Sequence, residues 1–346
     1  MTSRPSSPAP PPDSEPESDR AELRSLLLTL LLREDLAYDI AQAATAAGIE
    51  ADLARRLWRA LGFPEPAGRQ TFGDADVETF SLVGSAVDAD LLTEETALRL
   101  VRALGVTMAR LADWEVATLV DQMERDVAAG RAQSRLDVAL RLADRVAPGF
   151  EQLLLQAWRR HLAAAAARME AIGAHDTELR TTTMTVGFAD LSRFTSLSNQ
   201  LDDAALGSLV ERFEERGADV ITAGGGRAIK TLGDAVLYVT DDPVKATRIA
   251  LDLVSEVGAR DEVPAIRVGL ATGSVVSRLG DVFGPPVNLA ARLSHVARSN
   301  RVLVDDTTAQ ALGPEFSTRA LPPRPLRGFG TVSPITVTER RGFRAR

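Results

Sequence analysis

The sequence predicts an α+β protein in which an all-α half is followed by a domain with a mixed sheet and flanking helices. In the first half leucines recur at three- and four-residue steps, as from Leu23 to Leu31, and the alternation typical of strands is missing. In the second half short apolar segments alternate with helical patterns, and Gly233-Asp234 separates two of them as a hairpin turn would. A length of 346 residues accommodates about two domains of ordinary size.

The composition favours a globular protein of a reducing compartment. The chain is 45% hydrophobic and 25% charged, and its net charge of -8 argues against bulk attraction to nucleic acid or anionic lipid. It has no cysteine, which excludes disulfides and thiolate metal sites. The longest strongly apolar run, Leu26 to Leu32, is far shorter than the about 20 residues of a membrane span. No signal peptide is recognisable, so we expect a cytoplasmic protein.

The first 180 residues divide into three segments. Residues 1–20 are rich in proline and serine and predict a disordered tail. Residues 21–147 predict an all-α domain of several short helices. Residues 148–180 predict a connecting helix and linker, because the five consecutive alanines from Ala163 to Ala167 favour a stiff helix between two different halves.

Two residues of the all-α domain have the pattern of helix starts. Thr93 and Asp113 are each followed by acidic residues, which suit the first turn of a helix. Beyond residue 181 the period changes, and residues 181–346 predict the α+β domain. Its predicted strands are 183–191, 227–232, 235–240, 266–277 and 302–304, and its predicted helices are 204–223, 245–257 and 287–297.

Two aspartates stand at the ends of predicted strands. The carboxylates of Asp190 and Asp234 would lie side by side if those strands are neighbours, and paired carboxylates suit Mg²⁺ or Mn²⁺ bridging substrate phosphates. The turn after Asp190 leads into a helix, where backbone N–H groups bind phosphate, so Phe194 and Thr195 are candidate substrate contacts. Either aspartate alone is also a common cap or turn residue.

Two further pairs complete the candidate site. Asn288 and Arg292 are four residues apart, so a helix places them on one face, where they can orient a ribose and stabilise charge on a phosphate. Lys230 and Asp281 supply a donor and an acceptor, the combination that binds N1 and the N6 amino group of adenine. Guanine presents the reverse pattern. Taken singly, each of these residues is also ordinary for a solvated strand, turn or helix.

These six residues, in this order and spacing, resemble the motifs of the class III nucleotidyl cyclases over roughly residues 182–338. The resemblance implies an adenylate cyclase that converts ATP to 3′,5′-cyclic AMP and pyrophosphate with two Mg²⁺ or Mn²⁺ ions per site. It also implies a homodimer with two shared active sites. Each site takes its metal aspartates from one subunit and its base-reading and transition-state residues from the other.

Carried over residue by residue, the resemblance assigns four roles. It implies metal binding by Asp190, Leu191 and Asp234, adenine selection by Lys230 and Asp281, transition-state stabilisation by Asn288 and Arg292, and contact with the triphosphate by Arg327. The alternative is the same fold with relaxed or guanine selectivity, since base choice rests on two residues.

The N-terminal half is similar to the helical regulatory domain that precedes the catalytic domain in some actinobacterial soluble cyclases. The similarity is carried by Arg55 to Pro64 and implies a regulatory and dimerisation domain. His161 and His175 titrate near physiological pH and could bias the dimer, or they could be solvated helix residues. The leucine-rich helices could hold a lipid or simply pack a core, so small-molecule and proton regulation both stay open.

Two alternatives of another class remain. Residues 39–61 have the pattern of a helix-turn-helix with Arg55, Arg56 and Arg59 on its second helix, but the domain is not basic overall, which argues against DNA as a partner. A degenerate cyclase that serves as a dimerising scaffold would be expected to lack at least one of the six site residues. The sequence retains all six.

Overall fold

The computed structural model describes residues 28–66, 70–171, 181–258, 263–278 and 280–340. The predicted tail of residues 1–20 and His175 lie outside the described residues. The chain forms two compact units, divided between Ala166 and Ala167. The prediction of an all-α half followed by a mixed sheet with flanking helices is confirmed. No helix in the described part of the chain is long and apolar enough to span a membrane.

The regular structure described in the first unit is helical, apart from one isolated bridge between Tyr38 and Phe72. Residues 28–32 form the described part of α1. The remaining helices are α2 (Ile40–Ala47), α3 (Ala51–Ala60), α4 (Asp74–Asp88), α5 (Glu94–Ala128), α6 (Arg135–Arg145) and α7 (Ala147–Ala171). The helix α7 crosses the boundary between the two units.

Helices α2 and α3 form the predicted helix-turn-helix. The side chain of Asp39 accepts from the N–H groups at the start of α2, and Gly48 ends that helix at a φ of 72°, a left-handed conformation that favours glycine. On α3 the indole of Trp58 donates to the carbonyl of Pro64 at 2.8 Å and stacks on Phe63. In residues 55–64, on which the N-terminal resemblance rests, Phe63 and Pro64 therefore fold back to contact Trp58 on α3.

The predicted helix start at Thr93 is confirmed, and the one at Asp113 is wrong. Thr93 Oγ1 accepts from the N–H of Thr96 at 3.2 Å, which caps α5. The helix then continues without a break for 35 residues, and Asp113 lies in its middle. Neither glycine nor proline follows Asp113 closely, and the leucines and alanines around it are good helix formers, so the backbone hydrogen bonds continue.

The second unit is built on an eight-stranded mixed sheet in the described residues. Its spatial order is β2-β3-β1-β4-β6-β10-β7, with β5 paired to β4, and β4 and β6 run parallel while the other pairs are antiparallel. The strands are β1 (Thr181–Leu191), β2 (Arg227–Thr231), β3 (Ala235–Thr240), β4 (Ile266–Arg278), β5 (Asp281–Phe283), β6 (Arg301–Val304), β7 (Phe316–Ala320) and β10 (Ile335–Glu339). A separate hairpin pairs β8 (Arg324–Leu326) with β9 (Gly330–Val332).

Helices cover the sheet and complete its core. They are α8 (Phe194–Ser198), α9 (Asp203–Ala223), α10 (Pro243–Asp252, continued by a π-helical turn Leu253–Val257), α11 (Pro285–Val296) and α12 (Asp306–Gln310). The main core lies between the sheet and α9 and α10, with Phe213, Tyr238 and Ile249 fully buried. Helix α11 packs on β4 so closely that a Cβ on Gly269 would lie 2.1 Å from the carbonyl oxygen of Ala290. This glycine therefore fixes where α11 sits.

Candidate active site

The two metal-candidate aspartates lie on neighbouring strands. Asp190 is the penultimate residue of β1, and its register partner on β3 is Ala235, the residue after Asp234. The N–H of Leu191 donates to the carbonyl of Asp234 at 2.8 Å, which holds the hairpin turn against the end of β1. The side-by-side placement of the two strand ends expected from the sequence is therefore present, and Leu191 is fully buried in the main core.

Asp190 also has two basic side chains as neighbours within its own chain. Arg267, its register partner on β4, places Nη2 3.2 and 3.1 Å from the two carboxylate oxygens. His295 on α11 places Nδ1 3.3 Å from Oδ2. Only 5% of the Asp190 side chain is exposed, so these two side chains cover the carboxylate.

The pKa of Asp190 reflects opposing effects. Burial raises it above the usual aspartate value, Arg267 and His295 lower it, and the nearby charge of Asp234 raises it again. Burial and the second carboxylate outweigh the cations, so the net shift is upward. A further positive charge at this position would favour the ionised form, as the predicted divalent cation would provide.

The two base-reading candidates contact each other directly. Lys230 on β2 and Asp281 at the start of β5 are 51 residues apart in sequence, and Nζ donates to Oδ2 at 2.5 Å. Burial raises the pKa of Asp281, but hydrogen bonds from Lys230 and from the N–H of Val282 outweigh it and hold the pKa below the usual value. Each partner therefore satisfies the other and keeps a defined position before any base binds.

Asn288 and Arg292 lie on one exposed face of α11, as their spacing predicted. They line a groove of about 650 Å³ together with Arg327, which follows β8. The groove thus contains a neutral amide and two guanidinium groups, and Gly284 and Gly328 form part of its wall. Such a surface suits an anionic ligand that also offers hydrogen-bonding hydroxyls.

The turn after Asp190 enters α8 through an unusual backbone conformation. Arg193 has a φ of 62°, in the left-handed region that costs a non-glycine residue about 1–2 kcal/mol. Phe194 is half-buried against the main core, whereas Thr195 is exposed. The predicted phosphate-binding turn is therefore followed by a helix, but that helix is only five residues long.

Sequence reasoning missed two residues of this site. Arg267 could not be found, because its meeting with Asp190 depends on the pairing register of β1 and β4, which no local motif encodes. His295 could have been found, since it lies three residues after Arg292 and so continues the same exposed face of α11.

The donor set fits a divalent cation that shares its coordination with a substrate. Asp190 and Asp234 provide hard oxygen ligands, as Mg²⁺ and Mn²⁺ prefer. No group of three or more metal-ligating histidine, cysteine, aspartate or glutamate side chains occurs among the described residues. An all-protein cage is therefore not built in this region, and phosphate oxygens and water would have to complete the coordination.

Taken together, these strands, helices and side chains define an α+β domain with a carboxylate pair, a lysine–aspartate pair and a cationic groove. The family of adenylate and guanylate cyclase catalytic domains matches residues 177–337. An adenylate cyclase of Streptomyces coelicolor is 37% identical over 87% of this chain and 86% of its own length. An adenylate cyclase of Streptomyces griseus is 39% identical over 78% of this chain and 67% of its own length.

A pH-sensitive adenylate cyclase of Mycobacterium tuberculosis is also similar, at 43% identity over 42% of this chain and 38% of that protein. The chain therefore belongs to the class III adenylate and guanylate cyclase family. The resemblance inferred from the six motif residues is confirmed at this level.

Proposed function

We propose that the protein is an adenylate cyclase that converts ATP to 3′,5′-cyclic AMP and pyrophosphate. The contact between Lys230 and Asp281 carries this proposal, because it brings together one donor and one acceptor, the two groups needed to bind the edge of a base. Adenine offers an acceptor at N1 and a donor at N6, which this pair complements. The names of the two Streptomyces relatives support the same substrate.

Asp190 and Asp234 would hold the divalent ions. When bound, such ions lower the pKa of the attacking ribose 3′-hydroxyl and neutralise the leaving pyrophosphate. Asn288 orients the ribose, and Arg292 offsets the negative charge that develops on the α-phosphate. Arg327 contacts the triphosphate, as does the backbone of the turn that contains Phe194 and Thr195.

The catalytic groups are completed by a second copy of the chain. The groove of Asn288, Arg292 and Arg327 is lined by neither metal-candidate aspartate, so one chain does not bring the two halves of the chemistry into one cavity. The exposed large hydrophobic side chains of the sheet unit also cluster beside the site. They are Leu232, Val276 and Phe283. Leu232 lies between Lys230 and Asp234 in the sequence, and Phe283 lies two residues after Asp281. Val276 pairs with Phe283 across β4 and β5. An apolar surface around an incomplete site supports a shared-site homodimer.

The helical unit would regulate this assembly. A cyclase whose site forms between two copies is sensitive to anything that alters their geometry, and the relative described as pH-sensitive supports a proton as one signal. His161 is exposed on α7 and remains a candidate for that response. Replacing His161 and His175 with glutamine tests it, because a proton switch would flatten the activity profile between roughly pH 5.5 and 7.5.

The assay that tests the proposal measures cyclic nucleotide formation by the purified full-length chain with Mn²⁺, comparing ATP with GTP. Cyclic AMP from ATP, abolished in Asp234→Ala, supports the proposal. Comparable cyclic GTP formation would instead favour relaxed or guanine selectivity. No product from either nucleotide across the pH range, in the full chain and in a fragment from Thr181 to Arg346, would favour a scaffold without catalysis.

The DNA-binding alternative has little support in the helical unit. Arg56 pairs with Glu94 and lies near Asp52, and Arg59 pairs with Glu65 at 3.4 Å. Two of the three arginines that would contact DNA are therefore engaged by carboxylates. A salt-dependent mobility shift at low ionic strength would reopen this alternative.

A further inference from the structure

One end of the sheet has a second groove, on the face opposite to the main core. Strands β6, β10 and β7 are neighbours there, and their residues Val302, Val337 and Phe316 belong to the main core. Because side chains alternate along a strand, the residues at the alternate positions lie on the other face. They line a groove of about 530 Å³, and on these strands they are Arg301, Leu303, Ser317, Arg319, Thr336 and Thr338.

Four guanidinium groups surround this groove, which we call the arginine groove. Arg301 and Arg319 lie on its strands, Arg298 follows α11, and Arg324 begins β8. No aspartate or glutamate is among its described lining residues. In the described part of the chain, none of the four guanidinium groups forms an ion pair or a hydrogen bond. The groove therefore concentrates uncompensated positive charge on a chain whose net charge is -8.

The open shape of the arginine groove favours a peptide over a small molecule. Sites for small molecules usually bury most of the ligand surface, whereas most lining residues here are exposed. The exposed ones are Arg298, Arg301, Ser317, Arg319, Pro322, Arg324 and Thr338. Arg301 and Arg319 lie on strands two spacings apart, which is about 10 Å. The charge is thus spread over a width that several residues of an extended chain would span.

Two other kinds of anionic partner suit the groove less well. No phenylalanine, tyrosine or tryptophan is among its described lining residues, and sites for single-stranded nucleic acid use aromatic side chains on which bases stack. The net charge of -8 opposes attraction to long polyanions and to anionic membranes. A short acidic peptide responds mainly to charges within about 10 Å, because salt screens the rest of the chain.

We propose that the arginine groove binds an extended acidic segment of a partner protein. Carboxylates at every second residue of such a segment point to one side and can meet the guanidinium groups, which bind carboxylates through charge-assisted hydrogen bonds. The hydroxyls of Ser317, Thr336 and Thr338 supply further hydrogen-bond donors. Leu303 and Leu321 supply apolar contacts for the side chains between the carboxylates.

The arginine groove is separate from the groove that Asn288, Arg292 and Arg327 line, and the two share no lining residue. They are nevertheless linked through the chain. Arg298 comes two residues after the end of α11, and Arg324 comes three residues before Arg327. A segment bound in the arginine groove therefore contacts the chain next to both elements that carry the other groove.

Fluorescence anisotropy with a labelled synthetic peptide tests this site. The peptide alternates glutamate and serine, and a matched control peptide has glutamine in place of each glutamate. The full-length chain is titrated at low ionic strength, without nucleotide or divalent cation. We expect the wild type to bind the glutamate peptide and not the glutamine peptide. Arg301→Gln and Arg319→Gln should each weaken binding about threefold and the double variant about tenfold, because exposed ion pairs contribute modestly and separate ones add.

Two arginine variants control for charge elsewhere on the sheet unit. Arg278→Gln removes an exposed arginine at the end of β4, and Arg292→Gln removes one from the groove on α11. Peptide binding that survives both but falls in Arg301→Gln and Arg319→Gln supports the proposal. All four arginines are exposed, so circular dichroism should show that each variant folds like the wild type.

Several results would overturn the proposal. A wild type that binds no glutamate peptide at concentrations on the order of 1 mM, or that binds the glutamine peptide equally well, removes the acidic segment as the occupant. An equal loss in Arg278→Gln assigns the binding to overall charge, and a loss confined to Arg292→Gln assigns it to the groove on α11.

The remaining outcomes identify a different occupant. The double variant is compared with the wild type for binding of an oligothymidylate and of phosphatidylserine vesicles, and for self-association by sedimentation velocity. If either polyanion binds the wild type more tightly than the peptide and loses affinity in the double variant, the partner is of that class. If only self-association is lost, the groove lies between two copies of the chain. Because the assays contain no substrate nucleotide, their outcome is independent of whether the chain is an adenylate cyclase.

Discussion

The helical unit and the sheet unit differ in how many of their large apolar side chains are exposed. In the sheet unit the two faces of the sheet are covered, and the described chain exposes large hydrophobic side chains there only at Leu232, Val276 and Phe283. The helical unit exposes many more, including Trp114 and Trp158 at 62% and 56%. A single chain therefore buries most of the large apolar side chains of its sheet unit but leaves many of those on its helices exposed.

This difference separates two kinds of incompleteness. The sheet unit has a well-packed core but an incomplete site, because the metal-candidate carboxylates do not line its cationic groove. The helical unit has an unfinished surface, because exposed apolar patches of this kind are typical of sites that bind another protein or a lipid. Substitutions in the sheet unit are therefore expected to change catalysis or folding. Substitutions of exposed apolar residues in the helical unit are expected to change association with another molecule.

The largest effect is expected for Arg292→Ala, which removes chemistry without removing structure. Arg292 is exposed on α11, so the melting temperature should stay unchanged. Loss of one group that stabilises transition-state charge lowers kcat by about 10²–10³-fold. Steady-state kinetics with ATP and Mn²⁺ measure the loss, with Arg298→Ala as a control for an exposed arginine just beyond the helix. Equal activity in both variants would remove Arg292 from the proposed mechanism.

The next effect concerns the packing that holds α11 in place. Gly269→Ala would put a methyl group 2.1 Å from the backbone oxygen of Ala290, so the helix must move, and we expect a loss of about 2–3 kcal/mol in unfolding free energy. Gly207→Ala is the matched control, since nothing lies within 4 Å of a Cβ there and the position is inside α9. It should stabilise the protein by about 0.5–1 kcal/mol. Chemical denaturation that ranks the two variants in the opposite order would contradict the tight contact.

Much of the fold and of this site was predictable from the sequence. The parts that were not predictable depend on contacts between distant segments of the chain. The strand β3 and the helix α9 were predicted to within one residue, because hydrophobic period and turn signals are local. The contact of Arg267 with Asp190 depends on strand register, and the grouping of Arg327 with Asn288 depends on where a distant hairpin lies. Such pairings are set by the whole fold.

Helix and strand boundaries failed where a local signal was ambiguous. Asp113 has the residues of a helix start but lies inside α5, since a cap pattern does not end a helix that no glycine or proline interrupts. The short strands after residue 310 were not predicted, because segments of three to five residues are too short to show a clear period. The roles of the six site residues remain predictions that the kinetic variants test.

A smaller effect is expected for base choice. Lys230→Gln leaves Asp281 without its cation and replaces the ammonium donor proposed to read N1 of adenine with a shorter, neutral amide, so the preference for ATP over GTP should fall roughly tenfold. The control is Lys245→Gln, which affects an exposed lysine on α10 near Asp241. The ratio of kcat/KM for the two nucleotides is the measurement. An unchanged ratio in Lys230→Gln would mean that the shape of the pocket, and not this pair, selects the base.

The smallest effect on folding is expected at Trp158, an exposed tryptophan of the helical unit, and Trp58 of the same unit provides the packed counterpart. Trp58 is stacked on Phe63 and packs against the core of the helical unit, whereas Trp158 on α7 is largely exposed. We expect Trp58→Gln to destabilise the protein by about 3 kcal/mol and Trp158→Gln to change stability by less than about 0.5 kcal/mol. Only Trp158→Gln should weaken self-association without weakening the fold, as measured by analytical ultracentrifugation. If Trp158→Gln associates like the wild type, the exposed apolar surface around it serves some contact other than a second copy of the chain.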